Sequence, residues 1–236
     1  EQLDRGIIGV AKSWGGMHIC CSLPTLPRLR EWYRRPQKPF AVMVRDMGAA
    51  RRYGRPDERE EELLTSRHRP VVLVPRTDEP INELISPGLG NVGLFLPYTE
   101  MHHLLFSHLK DDALVMTSAN TPGEPMVLRD SDALDLKAEL YLLHNREILN
   151  RCDDSVVRSF GRNTFFLRKS RGHIPSPIEV PLKGQAVGVG AQENLTGAVI
   201  KDGLLFTTQH IGDGDSPRVV DFLEASIGHF RRLLGI

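Results

Sequence analysis

The sequence predicts an α/β protein, and three observations carry that reading. Short apolar runs bounded by turn residues, FAVMV at 40–44, VVLV at 71–74 and ALVM at 113–116, fit strands covered on both faces. Segments of helical pattern alternate with them through residue 143. Near Ala186 the pattern changes to three short strands followed by one long amphipathic stretch, which marks a second, smaller unit.

Taken in order, GIIGVAKSWGGMHICCS reads as two strands around Gly15-Gly16, where a residue without Cβ permits a sharp turn or a close approach. Residues 26–35 suit a helix, and Lys38-Pro39 launches the strand at 40–44. Residues 51–69, rich in Arg, Glu and Asp, predict one exposed helix with a solvated charged face. After the strand at 71–74, residues 91–109 give a strand, a stop at Pro97 and a helix capped by Thr99, with Leu104, Leu105 and Leu109 on one side. Pro175, Pro177 and Pro181 stiffen a linker, so the division is drawn between residues 1–180 and 181–236. In the second unit Lys201-Asp202-Gly203 carries a hairpin signal. Ser216 caps a closing helix that begins at Pro217, with Val220, Leu223, Ile227, Phe230 and Leu234 as its apolar stripe. That stripe needs a cover: it packs back on the first unit, or it forms an oligomer with a second copy.

Thirty basic and thirty acidic residues cancel, so no overall field draws the chain to nucleic acid or an anionic membrane. Cys20, Cys21 and Cys152 lack metal-ligand spacing and read as buried thiols of a reducing, cytoplasmic protein. No apolar run approaches the length of a membrane helix. The abrupt start, and a last helix ending at Gly235, fit a piece of a longer protein.

The chemistry-bearing residues come in clusters. VMTSANTPGEP places Ser118 and Asn120 at the end of a buried strand, where short hydroxyl and amide groups bind phosphate or carboxylate oxygens; the alternative is an ordinary turn. Arg34, Arg35 and Lys38 are three cations within five residues, able to clamp phosphate or simply to form a basic turn. RKSRGHIP adds Arg168, Lys169 and Arg171, and RCDDSVVRS sets Asp153 and Asp154 before Ser155, where one Asp could hold a metal or orient an arginine and caps and salt bridges are the commoner roles. His102 and His103 point about 100° apart on a helix and cannot share one ion, so one is buried, the other exposed, and no metal site is expected. No Walker-type or strand-linked dinucleotide glycine motif is present.

Together KPFAVM, LPYTEMHHLL, VMTSAN with GEP, HNREILNRCDDSVVR and RKSRGHIP, in that order, closely resemble the YrdC-like domain of the HypF family of hydrogenase maturation factors. The stretch VGVGAQENLTGAVI with TTQHIGD resembles the opening of that family's Kae1-like domain. The resemblance implies a twisted open mixed sheet with flanking helices, followed by a strand-and-helix piece of the Kae1-like fold. It also implies formation of a carbamoyl-adenylate from carbamoyl phosphate and ATP with magnesium, within carbamoyl transfer to the carboxyl-terminal cysteine of a HypE-like acceptor. An RNA-binding or regulatory module, with double-stranded RNA as partner, is the alternative. By the same resemblance Arg35 and Lys38 are catalytic, and Arg34, Ser118, Asn120, Ser155 and Arg171 bind nucleotide and carbamoyl phosphate, all converging on one cavity. The sequence departs from the family where Tyr33 stands in place of a lysine.

Overall fold

The computed structural model describes residues 1–236. The predicted alternation is present as β1 (Gly9–Lys12), β2 (Met17–Ser22), α1 (Leu26–Trp32), β3 (Ala41–Val44), α2 (Met47–Tyr53), α3 (Glu58–Thr65), β4 (Val71–Pro75), α4 (Ile81–Ile85), β5 (Asn91–Phe95), α5 (Glu100–His108), β6 (Ala113–Ser118), α6 (Asp130–Leu134), β7 (Leu140–Leu142), β8 (Val156–Phe160) and β9 (Asn163–Arg168). These nine strands form one sheet in the order β7-β1-β2-β6-β3-β5-β4-β8-β9. The sheet is mixed, with parallel pairs only at β1–β7, β3–β5 and β4–β8. β6, whose residues Ala113 to Thr117 are buried, is antiparallel to both β2 and β3. Ser118 at its carboxyl end therefore pairs with His18 near the start of β2 and lies beside the segment that leads into β3.

Two local expectations are corrected. Residues 51–69 hold two helices rather than one, because the chain closes at Gly54 against the sheet: a Cβ there would lie 2.4 Å from Val74 Cγ2. α3 then restarts with a capping box in which Asp57 accepts from the Glu60 amide and Glu60 accepts from the Asp57 amide. On α5, Leu104 is 63% exposed, and the buried side is His102 and Phe106, with Leu109 just beyond the helix. The i, i+4, i+7 spacing from His102 sets that face, after Thr99 Oγ1 accepts from the His102 amide.

The second unit comprises β10 (Ile178–Glu179), β11 (Gln185–Gly188), β12 (Ala198–Lys201), β13 (Leu204–Thr207) and α7 (Pro217–Leu234). Its sheet runs β10-β13-β12-β11, so the changeover between sheets falls between Arg168 and Ile178. Asp202 and Gly203 both take positive φ, 48° and 87°, the backbone of a primed two-residue hairpin turn. β11 and β12, in contrast, are joined by the longer residues 189–197 instead of a tight turn.

α7 begins as expected, with Ser216 Oγ accepting from the Arg218 amide, but its covered arc is Val219, Phe222, Ser226 and Phe230. Val220 is 52% exposed. The helix is rotated because it meets two surfaces. It lies on β12 over Gly197, where a Cβ would be 3.0 Å from Leu223 Cδ1, and it turns Phe222 toward Arg151 of the first unit, whose guanidinium is 4.4 Å from the ring centre. Ser216 Oγ also donates to Glu124 Oε1 at 3.0 Å. The tail thus packs back on the first unit.

Candidate functional site

A cavity of about 830 Å³ lies across one face of the large sheet. Its floor is built from same-face residues of neighbouring strands: Ser118 and Met116 on β6, Ala41 on β3, Gly93 on β5, Leu73 and Val71 on β4, Val156 on β8 and Arg168 on β9. Gly93 keeps the floor low, since a Cβ there would stand 3.0 Å from Val71 Cγ1. The rim comes from Arg34, Arg35 and Lys38 before β3, from Asn120 and the loop after it, and from His210, Gly212 and Asp213 of the second unit. Of the expected residues, Arg34, Arg35, Lys38, Ser118 and Asn120 share this cavity.

The cations converge against their mutual repulsion. Arg35 lies over the Phe40 ring at 4.8 Å and donates to the Pro39 carbonyl at 3.0 Å, while its buried Nε has no partner. Burial lowers its pKa, and neighbouring Arg30 and Arg168 lower it further against the opposing effect of Tyr33. Burial likewise lowers Lys38, helped by Arg35 and Arg168 and opposed by Asp213. Three positive groups held within range of one another, one with an unused donor, suit an anionic ligand.

Tyr33 serves as a brace. It is 8% exposed, and its hydroxyl donates to the Asn120 carbonyl at 2.8 Å and lies 2.9 Å from Asn120 Oδ1. Ser118 Oγ donates to the same Oδ1 at 3.1 Å, and Asn120 Nδ2 donates to the Thr121 carbonyl. The neutral ring thereby fixes the Ser-Ala-Asn turn.

Ser155 and Arg171 are placed otherwise than expected. Ser155 is fully buried; its hydroxyl donates to the Arg171 carbonyl at 2.9 Å and accepts from the Ser170 amide at 2.8 Å. Arg171 lies on the wall of a neighbouring cavity of about 780 Å³ between α7 and the first unit. Its guanidinium is committed: Nε donates to Asp154 Oδ1 at 2.7 Å, and the terminal nitrogens donate to the carbonyls of His68 and Arg69 at 3.0 and 2.7 Å. The group also lies 3.5 Å from the centre of the Tyr98 ring. Burial pushes the Asp154 carboxyl up, yet Arg171 and His18 outweigh it and hold Asp154 well below the usual carboxylate range. These two residues buttress the floor.

The cation sequence reasoning left out of the site is Arg168. It ends β9 on the cavity floor and pairs with Asp153 at 2.7 Å, an acid that also receives the Ser170 hydroxyl and lies 3.1 Å from His210 Nδ1. His18 was missed as well; it lines the cavity with Nε2 3.0 Å from Asp154. Arg168 could have been found by its position three residues before Arg171 in the basic motif, but it is the pairing of Arg168 opposite Val156 that puts it on the floor, while Asp154 and two carbonyls hold Arg171 elsewhere. As predicted, His102 is buried and His103 exposed. Asp153 and Asp154 are taken up by ion pairs, and no three His, Cys, Asp or Glu side chains converge on a point. Asp213 is the lining carboxylate without an ion pair.

Residues 1–170 match the Sua5/YciO/YrdC family model, described as telomere recombination, and residues 182–236 match that of the HypF Kae1-like domain. Carbamoyltransferase HypF of Rhizobium leguminosarum bv. viciae is 40% identical over all of this chain, which spans 33% of that protein. The probable carbamoyltransferase HypF of Methanocaldococcus jannaschii is 37% identical over 98% of the chain and 31% of its own length. The chain thus spans about a third of the curated relatives it matches. The crystal structure of T. kodakarensis HypF superposes with a TM-score of 0.94 at 39% identity, over 98% of this chain and 31% of that one. A full-length HypF in a phosphate- and nucleotide-bound form gives 0.94 at 33% identity, over 100% and 38%. P. abyssi Sua5, at 17% identity and 0.62 over 74% and 52%, shares the fold.

Proposed function

From the premise that the chain belongs to the Sua5/YciO/YrdC family and continues into a HypF Kae1-like segment, we propose that it forms a carbamoyl-adenylate from ATP and carbamoyl phosphate. This step serves carbamoyl transfer to a HypE-like acceptor in hydrogenase maturation, and the two units are drawn at residues 1–180 and 181–236, with the short strand Ile178–Glu179 reaching across to pair in the second sheet. The observation that carries the reading is the convergence of Arg35, Lys38 and Arg168 with Ser118 and Asn120 on one cavity floored by apolar side chains. Water releases inorganic phosphate from carbamoyl phosphate, a carbamate oxygen then attacks the α-phosphorus of ATP, and pyrophosphate departs; fixed cations stabilise the negative charge on the phosphate oxygens without a protein nucleophile. In this reading Arg34, Arg35, Lys38 and Arg168 meet phosphates, and Ser118 and Asn120 supply hydroxyl and amide contacts to them. Tyr33, Ser155 and Arg171 hold those groups in place. Magnesium, when bound, neutralises ATP phosphates; Asp213 is the carboxylate that fits it, and most of its ligands would be phosphate oxygens and water.

The test is a titration of the chain with ATP-magnesium and, separately, with double-stranded RNA, followed by an assay of pyrophosphate release. Release that depends on carbamoyl phosphate and falls in Lys38→Gln is the expected result. Duplex RNA bound in the absence of any ATP binding would favour the non-catalytic alternative.

A further inference from the structure

Beyond the cavity the large sheet ends in a hairpin that touches α3 through Ser159–Glu60 and Thr164–Arg59 and whose outer strand has no strand beyond it. β8 and β9 turn at Gly161, with φ of 59°, and β9 is the last strand of the sheet. Apart from its ladder with β8, no backbone group of residues 163–168 takes part in a hydrogen bond. Phe160 is 79% exposed, Phe165 55%, Phe166 43% and Leu167 53%, so large apolar side chains crowd the rim. The register sets Arg158 opposite Phe165 and Phe160 opposite Asn163 on one face, and Phe166 opposite Val157 on the other. The edge is therefore apolar on both faces. Its free charge is of one sign: Arg158 and Arg162 stand in a stretch with no acid from Ser155 to Ile178, while Arg168 and Arg171 of the same stretch are taken up by Asp153 and Asp154. Arg158 and Arg162 have no ion-pair partner. On α3 beneath the hairpin, Glu61 pairs with Arg51, Glu62 with Arg59, and Glu60 receives the Ser159 hydroxyl.

We propose that β9 is a docking edge for an extended, acidic segment of a partner protein, added to the sheet as its next strand. Backbone groups of the segment would complete the open ladder, its apolar side chains would lie against Phe165 and Phe160 on one face and Phe166 on the other, and its carboxylates would meet Arg158 and Arg162. Charge argues against a second copy of the chain, since two such edges would set arginines against arginines. A single-stranded nucleic acid could stack on Phe160 and Phe165, but it would use one face and leave the strand's N–H and C=O groups unpaired. The inference is independent of what the cavity binds.

The experiment uses the full chain and two synthetic peptides, one alternating glutamate with valine and one alternating lysine with valine. Hydrogen exchange of the amides of residues 163–168 and the affinity of each peptide are measured at low salt. The glutamate peptide should bind at least about tenfold more tightly than the lysine peptide and slow exchange along β9, as expected for strand addition to a basic edge. Phe160→Ser with Phe165→Ser, which alters exposed positions only, should weaken it by about tenfold or more, with thermal unfolding checked to confirm the fold. Arg158→Glu with Arg162→Glu should reverse the preference between the peptides. Equal binding of the two peptides would overturn the proposal, as would tighter binding of an oligothymidylate. Protection of the edge that grows with protein concentration alone, or that is already complete without peptide in a longer chain carrying this sequence, would overturn it too.

Discussion

Replacing Arg171 by Met tests whether this arginine supports the site or faces its ligand. The guanidinium makes one charged bond to Asp154, two bonds to backbone carbonyls and a close contact with Tyr98, and its side chain is 14% exposed. Removing it leaves Asp154, itself 13% exposed, as a buried charge with only His18 beside it. Breaking such a pair from one side costs about 3 to 5 kcal/mol. For a chain of 236 residues that corresponds to a fall in Tm of roughly 6 to 20 °C. Urea unfolding of Arg171→Met, Asp154→Asn and the double variant supplies the measurement, and the double variant should cost less than the sum of the singles by about 1 to 3 kcal/mol. ATP titration well below the midpoint should show a folded Arg171→Met chain that still binds. A variant with unchanged stability and lost ATP affinity would refute the buttress and restore Arg171 to the ligand.

Arg168→Gln should behave in the opposite way: its partner Asp153 keeps His210 and Ser170, so stability changes little, while phosphate or ATP binding weakens by about 1.5 to 3 kcal/mol in calorimetry. Tyr33→Phe removes the hydroxyl that fixes Asn120 and should cost about 1 to 3 kcal/mol of stability, together with a loss of ATP affinity; unchanged binding would mean that the turn holds without its brace. Burial holds His102 down to about 3 from its ordinary 6.5, and neither ring nitrogen has a partner. The unfolded chain takes up that proton first, so this contribution is complete above pH 6.5 and declines as pH falls toward 3. Between pH 6.5 and 5 this group contributes a loss of about 1.6 kcal/mol; His173, held down to about 4 by burial, titrates in the same window, so His102→Phe should lessen the fall in urea-derived stability by that amount without abolishing it.

Much of the fold was legible locally. Ala113 to Thr117 and Val71 to Val74 had the apolar continuity that only burial on both faces explains, and Thr99, Ser216 and Asp202-Gly203 announced two caps and a turn. Phase was harder to read. Both α5 and α7 are apolar on more than one side, and which side is buried depends on the surfaces they meet. Leu104 and Val220 thus ended in solvent, while His102 and Val219 were covered. The break at Gly54 was hidden for a similar reason, since only the approach of Val74 excludes a side chain there.

By itself the sequence determined the types of the elements, a change of pattern near Ala186, the family motifs and the cations available for a phosphate. Those follow from the local rules of burial period, capping and charge. Only the tertiary structure decided which cations meet. Lys38 and Arg168 stand far apart in the chain and share one cavity because β3 and β9 belong to one sheet, whereas Arg171, three residues beyond Arg168, turns away to neutralise Asp154. The physical reason is that a strand offers its two faces to different surroundings, so the register that sets Arg168 opposite Val156, shifted by one residue on β9 after Phe166, decides that Arg168 faces the cavity.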